Sequence, residues 1–249
     1  MNKKLSVLIV DDDSNIGDTL TDILGDIGYD VRFATSGEVA LSIIKEKEYD
    51  VILLDIRMPG MNGVETLRHI KEESPLTSVV MITAFAEDEL VNQAREWGAL
   101  QILSKPLDID KIIGFLKKQE ILKTIFIVDD DPAFCNSLKD AIELHSYNVT
   151  VVNNAQEAIE SFSIQKYGII LLDMKLNGKN GLEVAEAIKE KGYKCVIVLM
   201  SAYKKKFQPL LDKAKAEQVK DFIEKPFEIN DILKLLNEVS RERLMETLA

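Results

Sequence analysis

Leu8-Ile9-Val10-Asp11-Asp12-Asp13 returns later in the chain as Phe126-Ile127-Val128-Asp129-Asp130-Asp131, each time an apolar run that ends in three carboxylates. The offset is 129 − 11 = 118 residues. Three further blocks follow in the same order. Val51-Ile52-Leu53-Leu54-Asp55 is matched by Ile169-Ile170-Leu171-Leu172-Asp173, with 173 − 55 = 118. Met81-Ile82-Thr83-Ala84 is matched by Leu199-Met200-Ser201-Ala202, with 201 − 83 = 118, and Ser104-Lys105-Pro106 by Glu224-Lys225-Pro226, with 225 − 105 = 120. Four blocks holding order over this distance mean a duplicated domain.

Within the first copy, runs of aliphatic and β-branched residues predict strands over about 6–10, 31–34, 51–55, 78–83 and 101–103. Continuous apolar runs suit a parallel sheet buried on both faces. Helical patterns lie between them. Ser14 or Asp13 can cap the first helix, Gly28 follows its end, Ser36 can cap the second and Pro75 follows the third. The fourth is expected from about Glu87 to Trp97, before Gly98. The second copy predicts strands near 125–129, 148–152, 168–173, 195–200 and 221–224. Strand–helix alternation with short connections predicts, in each half, a doubly wound α/β domain with five parallel strands. The halves divide as 1–120 and 121–249, the second carrying a C-terminal helical extension. A helix from about Asp108 to Gln119 is followed by Glu120-Ile121-Leu122-Lys123-Thr124, with no spacer rich in Gly, Pro or Ser. A linker of that kind restricts the relative geometry of its domains.

Composition narrows the function. The 249 residues are 46% hydrophobic and 29% charged, a globular balance. Forty-two acidic against 31 basic side chains give a formal net charge of −11, which disfavours nucleic-acid backbones and anionic membranes. Lys204-Lys205-Lys206 is the best candidate for a local basic patch and reads as a solvated helix start. Cys135 and Cys195 have no metal-ligand spacing, and Cys195 opens an apolar run as a small buried hydrophobe. The apolar stretch after Met1 is too short for a signal peptide, and no run approaches the roughly 20 residues that span a bilayer. A cytoplasmic location without membrane insertion is expected.

In a doubly wound sheet, functional groups collect beyond the carboxyl ends of the strands. The repeated polar residues all fall there: Asp11, Asp12, Asp55, Thr83 and Lys105 in the first half, and Asp129, Asp130, Asp173, Ser201 and Lys225 in the second. Crowded carboxylates repel one another, a pair ~5 Å apart at an effective dielectric near 20 costing about 3 kcal/mol. A hard dication relieves this, and Mg²⁺ suits one or two carboxylates together with waters and phosphate oxygens. A lysine ammonium and a hydroxyl complete what phosphoryl transfer needs: an oxygen nucleophile, charge neutralisation and positioning.

Val10-Asp11-Asp12, Leu54-Asp55, Met58-Pro59-Gly60-Met61-Asn62-Gly63, Thr83-Ala84 and Lys105-Pro106 together resemble the receiver domain of two-component response regulators, and the resemblance recurs over nearly the whole chain. It implies a flavodoxin-like receiver fold in each half, and Asp55 and Asp173 as acceptors of a phosphoryl group. The donor would be a sensor histidine kinase or a histidine phosphotransfer protein. It implies direct Mg²⁺ binding by Asp12 and Asp130, action of Asp11 and Asp129 chiefly through water, and a metal shell completed by the backbone carbonyls of Arg57 and Lys175. Lys105 and Lys225 would contact the phosphoryl group, each with a cis bond to its proline. Thr83 and Ser201 would move toward it and turn new charge into new shape. Slow self-dephosphorylation is implied rather than enzymatic turnover, with Arg57, Phe85, Lys175 and Tyr203 placed to tune access of water.

The family usually carries an aromatic three residues before the lysine. Phe222 fits this, whereas Ile102 departs from it; Asn177 stands where the first half has Pro59. Only about twenty residues follow Lys225-Pro226-Phe227, and Ile229, Ile232, Leu233, Leu236 and Val239 form an apolar face that continues weakly through Leu244 and Leu248. Without a catalytic or DNA-binding output domain, output is expected through contact with a downstream protein target; a homodimer stays open. Two alternatives remain. One is a receiver-fold scaffold that is never phosphorylated. The other is a Mg²⁺-dependent phosphohydrolase of the haloacid dehalogenase type, against which stand Asn15 and Ala133 at its fifth motif position and the lack of room for a cap domain. His69, His145, the acceptor-like pattern Asn148-Val149-Thr150 and the Gly25–Gly28 pair read as ordinary surface, strand and turn residues, and Asp13 and Asp131 as helix caps.

Overall fold

The computed structural model describes residues 4–84, 89–161, 167–177, 179–193, 195–202 and 219–248. Phe85, Tyr203, the Lys204–Lys206 cluster and the expected start of the fourth helix at Glu87 lie outside the described residues, as does the Leu248 side chain. The chain divides into two compact units, 4–117 and 118–247.

In the first unit the apolar runs become β1 (Ser6–Val10), β2 (Asp30–Ala34), β3 (Val51–Asp55), β4 (Ser78–Thr83) and β5 (Gln101–Ser104). All pair in parallel, in the order β2-β1-β3-β4-β5. β1 and β3 are buried at every residue, while the edge strand β2 alternates between exposed and covered positions. Burial on both faces is what a wholly aliphatic strand requires, and an edge tolerates Asp30 and Arg32. Between the strands run α1 (Ser14–Ile27), α2 (Gly37–Glu46), α3 (Gly63–Glu73) and α4 (Glu89–Glu96), and α5 (Ile109–Leu122) follows β5. Local chemistry sets their ends. The Asp13 carboxylate accepts from the Asn15 N–H, so Asp13 rather than Ser14 is the first cap, and Ser36 accepts from the Val39 N–H. Gly28, at φ 100°, closes α1 in the left-handed region.

Register aligns the strand ends. Val10 lies opposite Leu54, Asp55 opposite Ile82 and Thr83 opposite Ser104, so the residues after these positions open onto one edge. The chain moves from β1 outward to β2 on one side and through β3, β4 and β5 on the other. The crevice therefore lies between β1 and β3, where the order reverses.

The second unit repeats the pattern with β6 (Thr124–Val128), β7 (Asn148–Val152), β8 (Ile169–Asp173), β11 (Val196–Ser201) and β12 (Val219–Glu224), all parallel in the order β7-β6-β8-β11-β12. Its described helices are α6 (Pro132–Glu143), α7 (Ala155–Ser161), α8 (Gly181–Glu190) and α9 (Ile229–Leu248). Val128 faces Leu172, Asp173 faces Met200 and Ser201 faces Glu224, the registers of the first unit over again. The doubly wound parallel architecture is thus present twice.

Three details differ from the sequence expectation. A short antiparallel hairpin, β9 (Lys175–Leu176) with β10 (Lys179–Asn180), follows the third strand of the second unit, where Asn177 replaces the proline of the first. α5 continues to Leu122, because Gln119 and Leu122 are buried and reward continued helix. Glu120, Ile121 and Leu122, expected in the linker, are therefore helical. On α9 the apolar face runs on strongly: Ile232, Leu233, Leu236, Val239 and Leu244 are all buried. No helix among the described residues is long and apolar enough to cross a membrane.

Candidate functional site

Each unit places one lysine against two aspartates at the crevice. In the first, Lys105 Nζ donates to Asp11 Oδ2 at 2.9 Å and to Asp55 Oδ2 at 2.5 Å. Asp11 is 1% and Asp55 5% exposed, so both carboxylates have left bulk water. Isolated buried charge is costly, and the ammonium supplies the missing partner. Asp11 Oδ1 also accepts from the Asp13 N–H at 2.9 Å, and Asp55 Oδ1 from the Arg57 N–H at 3.2 Å. The second unit repeats this. Lys225 Nζ donates to Asp129 Oδ2 and, at 2.7 Å, to Asp173 Oδ1. Asp129 accepts from the Asp131 N–H at 3.0 Å and Asp173 from the Lys175 N–H at 2.7 Å.

Burial acts most strongly on Asp55 and Asp173 and holds both carboxyls above the ordinary value of 3.8; the lysines and the backbone donors pull the other way without cancelling it. For Lys105 and Lys225 burial acts downward, but the hydrogen bonds from their two aspartates outweigh it, so both ammonium groups lie above 10.5. Each crevice thus pairs two desolvated carboxyl groups with one firmly charged ammonium.

The strand ends hold these groups by their backbones. The Lys105 N–H donates to Thr83 O at 2.7 Å and the Lys225 N–H to Ser201 O at 2.9 Å, which ties β5 to β4 and β12 to β11 at the rim. Thr83 and Ser201 are buried, at 1% and 3% exposed. The Lys105–Pro106 and Lys225–Pro226 bonds are both cis, as the resemblance implied.

Asp12 is exposed and Asp130 half-buried, each directly following the buried aspartate of its unit. Carboxylate oxygens of Asp11, Asp12 and Asp55 lie within 4.8 Å of one another, and among the described residues this three-acid gathering belongs to the first unit. Side-chain oxygens with a cation already bridging two of them form a hard donor set, which suits Mg²⁺ better than a softer metal.

Some functional geometry was not read from sequence. A Cβ built on Gly63 would stand 2.0 Å from the Asp55 carbonyl oxygen, and one on Gly181 would stand 2.4 Å from that of Asp173. Both glycines open the helix that follows β3 or β8 and lie directly against the main chain of Asp55 or Asp173. The signal was there, since Gly63 and Gly181 occupy the same place in the repeat (181 − 63 = 118). The Asn62–Glu65 capping box fixes the start of α3 beside it. Phe134 was also missed; its ring lies beneath the Lys225 ammonium. Ile102 and Phe222, the residues that depart from and fit the aromatic pattern, both pack partly buried on their cores.

The family model for the response regulator receiver domain matches residues 7–117 and again 125–237. Sporulation initiation phosphotransferase F of Bacillus subtilis is 37% identical over 124 residues, which are 50% of this chain and 98% of that protein. Transcriptional regulatory protein ZraR of Salmonella typhimurium is 40% identical over 115 residues, 46% of this chain; the chain spans 26% of that relative's length. A response regulator receiver protein of Anaeromyxobacter sp. is 24% identical over 236 residues, 95% of both chains. Among solved structures, a chemotaxis protein of Vibrio cholerae shares 30% identity over 47% of this chain and 98% of its own, with a TM-score of 0.45.

Proposed function

Because the chain belongs to the response regulator receiver family of two-component signalling, with one match in each half, we propose that Asp55 and Asp173 each accept a phosphoryl group from a phosphohistidine, with Mg²⁺ bound beside them. The domains would divide as 1–120 and 121–249. One observation carries the reading: in both units a single lysine bridges the aspartate after the first strand and the aspartate ending the third. A pocket built around two buried acids and one ammonium is prepared for a third, more negative partner and its counter-ion.

In the forward step a carboxylate oxygen of Asp55 or Asp173 attacks phosphorus in line with the P–N bond of the donor. That bond breaks, its electron pair stays on the imidazole nitrogen, which is protonated, and an aspartyl phosphate remains. Asp11, Asp12 and Asp55, with the Arg57 carbonyl, would hold the ion in the first unit; Asp129, Asp130, Asp173 and the Lys175 carbonyl would do so in the second. Bound Mg²⁺ supplies charge neutralisation for the phosphoryl oxygens. Lys105 and Lys225 would exchange a carboxylate for a phosphoryl oxygen, and the hydroxyls of Thr83 and Ser201 would turn to meet it. Hydrolysis of the anhydride would be slow, and the signal would pass by protein–protein contact. Kinase or phosphotransfer donor and downstream target are the partners this chemistry requires; the acidic chain is not suited to nucleic acid.

Incubation with Mg²⁺ and acetyl phosphate, followed by intact mass, tests this. The wild type should gain up to two phosphoryl groups, Asp55→Asn and Asp173→Asn up to one each, and the double variant none. Phosphate on the double variant would refute the assignment, and no gain by the wild type would leave the scaffold reading in its place.

A further inference from the structure

The two crevices differ in what lies against the lysine. Phe134 of α6 has Ile16 as its counterpart (134 − 118 = 16), and Phe227 has Leu107 (227 − 120 = 107). Lys225 Nζ lies 4.3 Å from the centroid of the Phe134 ring while it bonds Asp129 and Asp173. Phe227 meets that ring edge to face, with centroids 5.9 Å apart and planes at 77°. An aromatic face attracts an ammonium, most strongly where water is excluded, and the Lys225 side chain is only 19% exposed. Edge-to-face packing fixes the ring that does so. The side chain of Ile16 has no such face to offer.

This bears on the ion. Asp129 and Asp173 are oxygens that a dication needs, and both are engaged by the ammonium. A dication and the ammonium compete for the same two carboxylates, so whatever holds the ammonium over them opposes the ion. We infer that Phe134 is a positioning residue of the second unit: braced by Phe227, it pins the Lys225 ammonium over the Asp129–Asp173 pair and so raises the Mg²⁺ concentration that this crevice requires. The inference rests on the Mg²⁺ reading above and concerns one residue's influence on it.

Mg²⁺ titration of the isotopically labelled full chain, followed by NMR at the amides of Asp55 and Arg57 and of Asp173 and Lys175, reads both crevices in one tube. Phe134→Ile should lower the second midpoint about fivefold, the worth of one cation–π contact, and leave the first unmoved. Phe134→Tyr keeps the ring and should keep the wild-type midpoint. Transplanting the stack with Ile16→Phe and Leu107→Phe should raise the first midpoint, a test independent of how well the second unit tolerates change. An unmoved midpoint in Phe134→Ile, equal shifts in Phe134→Ile and Phe134→Tyr, or no rise in the transplant would each overturn the inference. If neither set of wild-type amides responds to Mg²⁺, the functional reading fails as well, and the two failures are told apart.

Discussion

Asp55 and Asp173 sit at the ends of apolar strands, and burial holds their carboxyls above 3.8. Without metal, the native chain keeps protons there that the unfolded chain has already released. Stability therefore falls as pH rises from the ordinary carboxylate value through the raised one. Mg²⁺ competes with the same protons, so the rise in Tm on adding Mg²⁺ should grow with pH across that window. Melting curves at a series of pH values with and without Mg²⁺ measure this, and a Mg²⁺ effect that is flat with pH would contradict it. The lysines act at the other end: their contribution is complete below 10.5 and is lost as pH rises through their raised values. Burial also pushes the thiols of Cys135 and Cys195 up to about 12. Neither should react with a thiolate-selective reagent in the native protein at neutral pH, and both should react in denaturant. A fast native reaction would show that one of them is open to solvent.

At the scale of an element, the glycines that open α3 and α8 matter most. Gly63→Ala drives a methyl group into the Asp55 carbonyl and should cost about 1–3 kcal/mol, read by urea unfolding, with slower phosphorylation of the first unit. The turn after α6 offers the opposite case. Ser146 holds φ 65° where the first unit has Gly28 at φ 100° (146 − 118 = 28). A side chain in the left-handed region is strained, so Ser146→Gly should stabilise the second unit by about 0.5–1 kcal/mol. These cases also show which parts of the fold sequence could reveal. β1, β3, β6 and β8 were legible to within a residue, since an unbroken apolar run and the aspartate closing it are both local signals. The bridging lysines were legible in place but not in partner, because that contact spans 94 residues from Asp11 to Lys105. The β9–β10 hairpin has only two residues in each strand, too few for a period to show. Phe134 carries no signal of its own in the sequence, because its meaning depends on a lysine at the far end of its unit.

For the whole molecule, charge and cation demand are the measurable consequences. Each aspartyl phosphate exchanges a charge of −1 for about −2, so full modification takes the net charge from −11 to about −13. After acetyl phosphate treatment, anion exchange should resolve later-eluting species that carry one and two phosphoryl groups by mass; a species carrying three would indicate another acceptor. Chelation should leave the far-UV spectrum unchanged, in contrast to small metal domains whose fold depends on the ion. Two extensive aliphatic cores carry the fold, and a lysine already satisfies the buried acids in each unit. With that internal counter-charge, the proposed need for Mg²⁺ in phosphorylation implies that a cell starved of magnesium would keep an intact stock of this protein, silent rather than lost. On that proposal, phosphorylation resumes when the ion returns, without waiting for new synthesis.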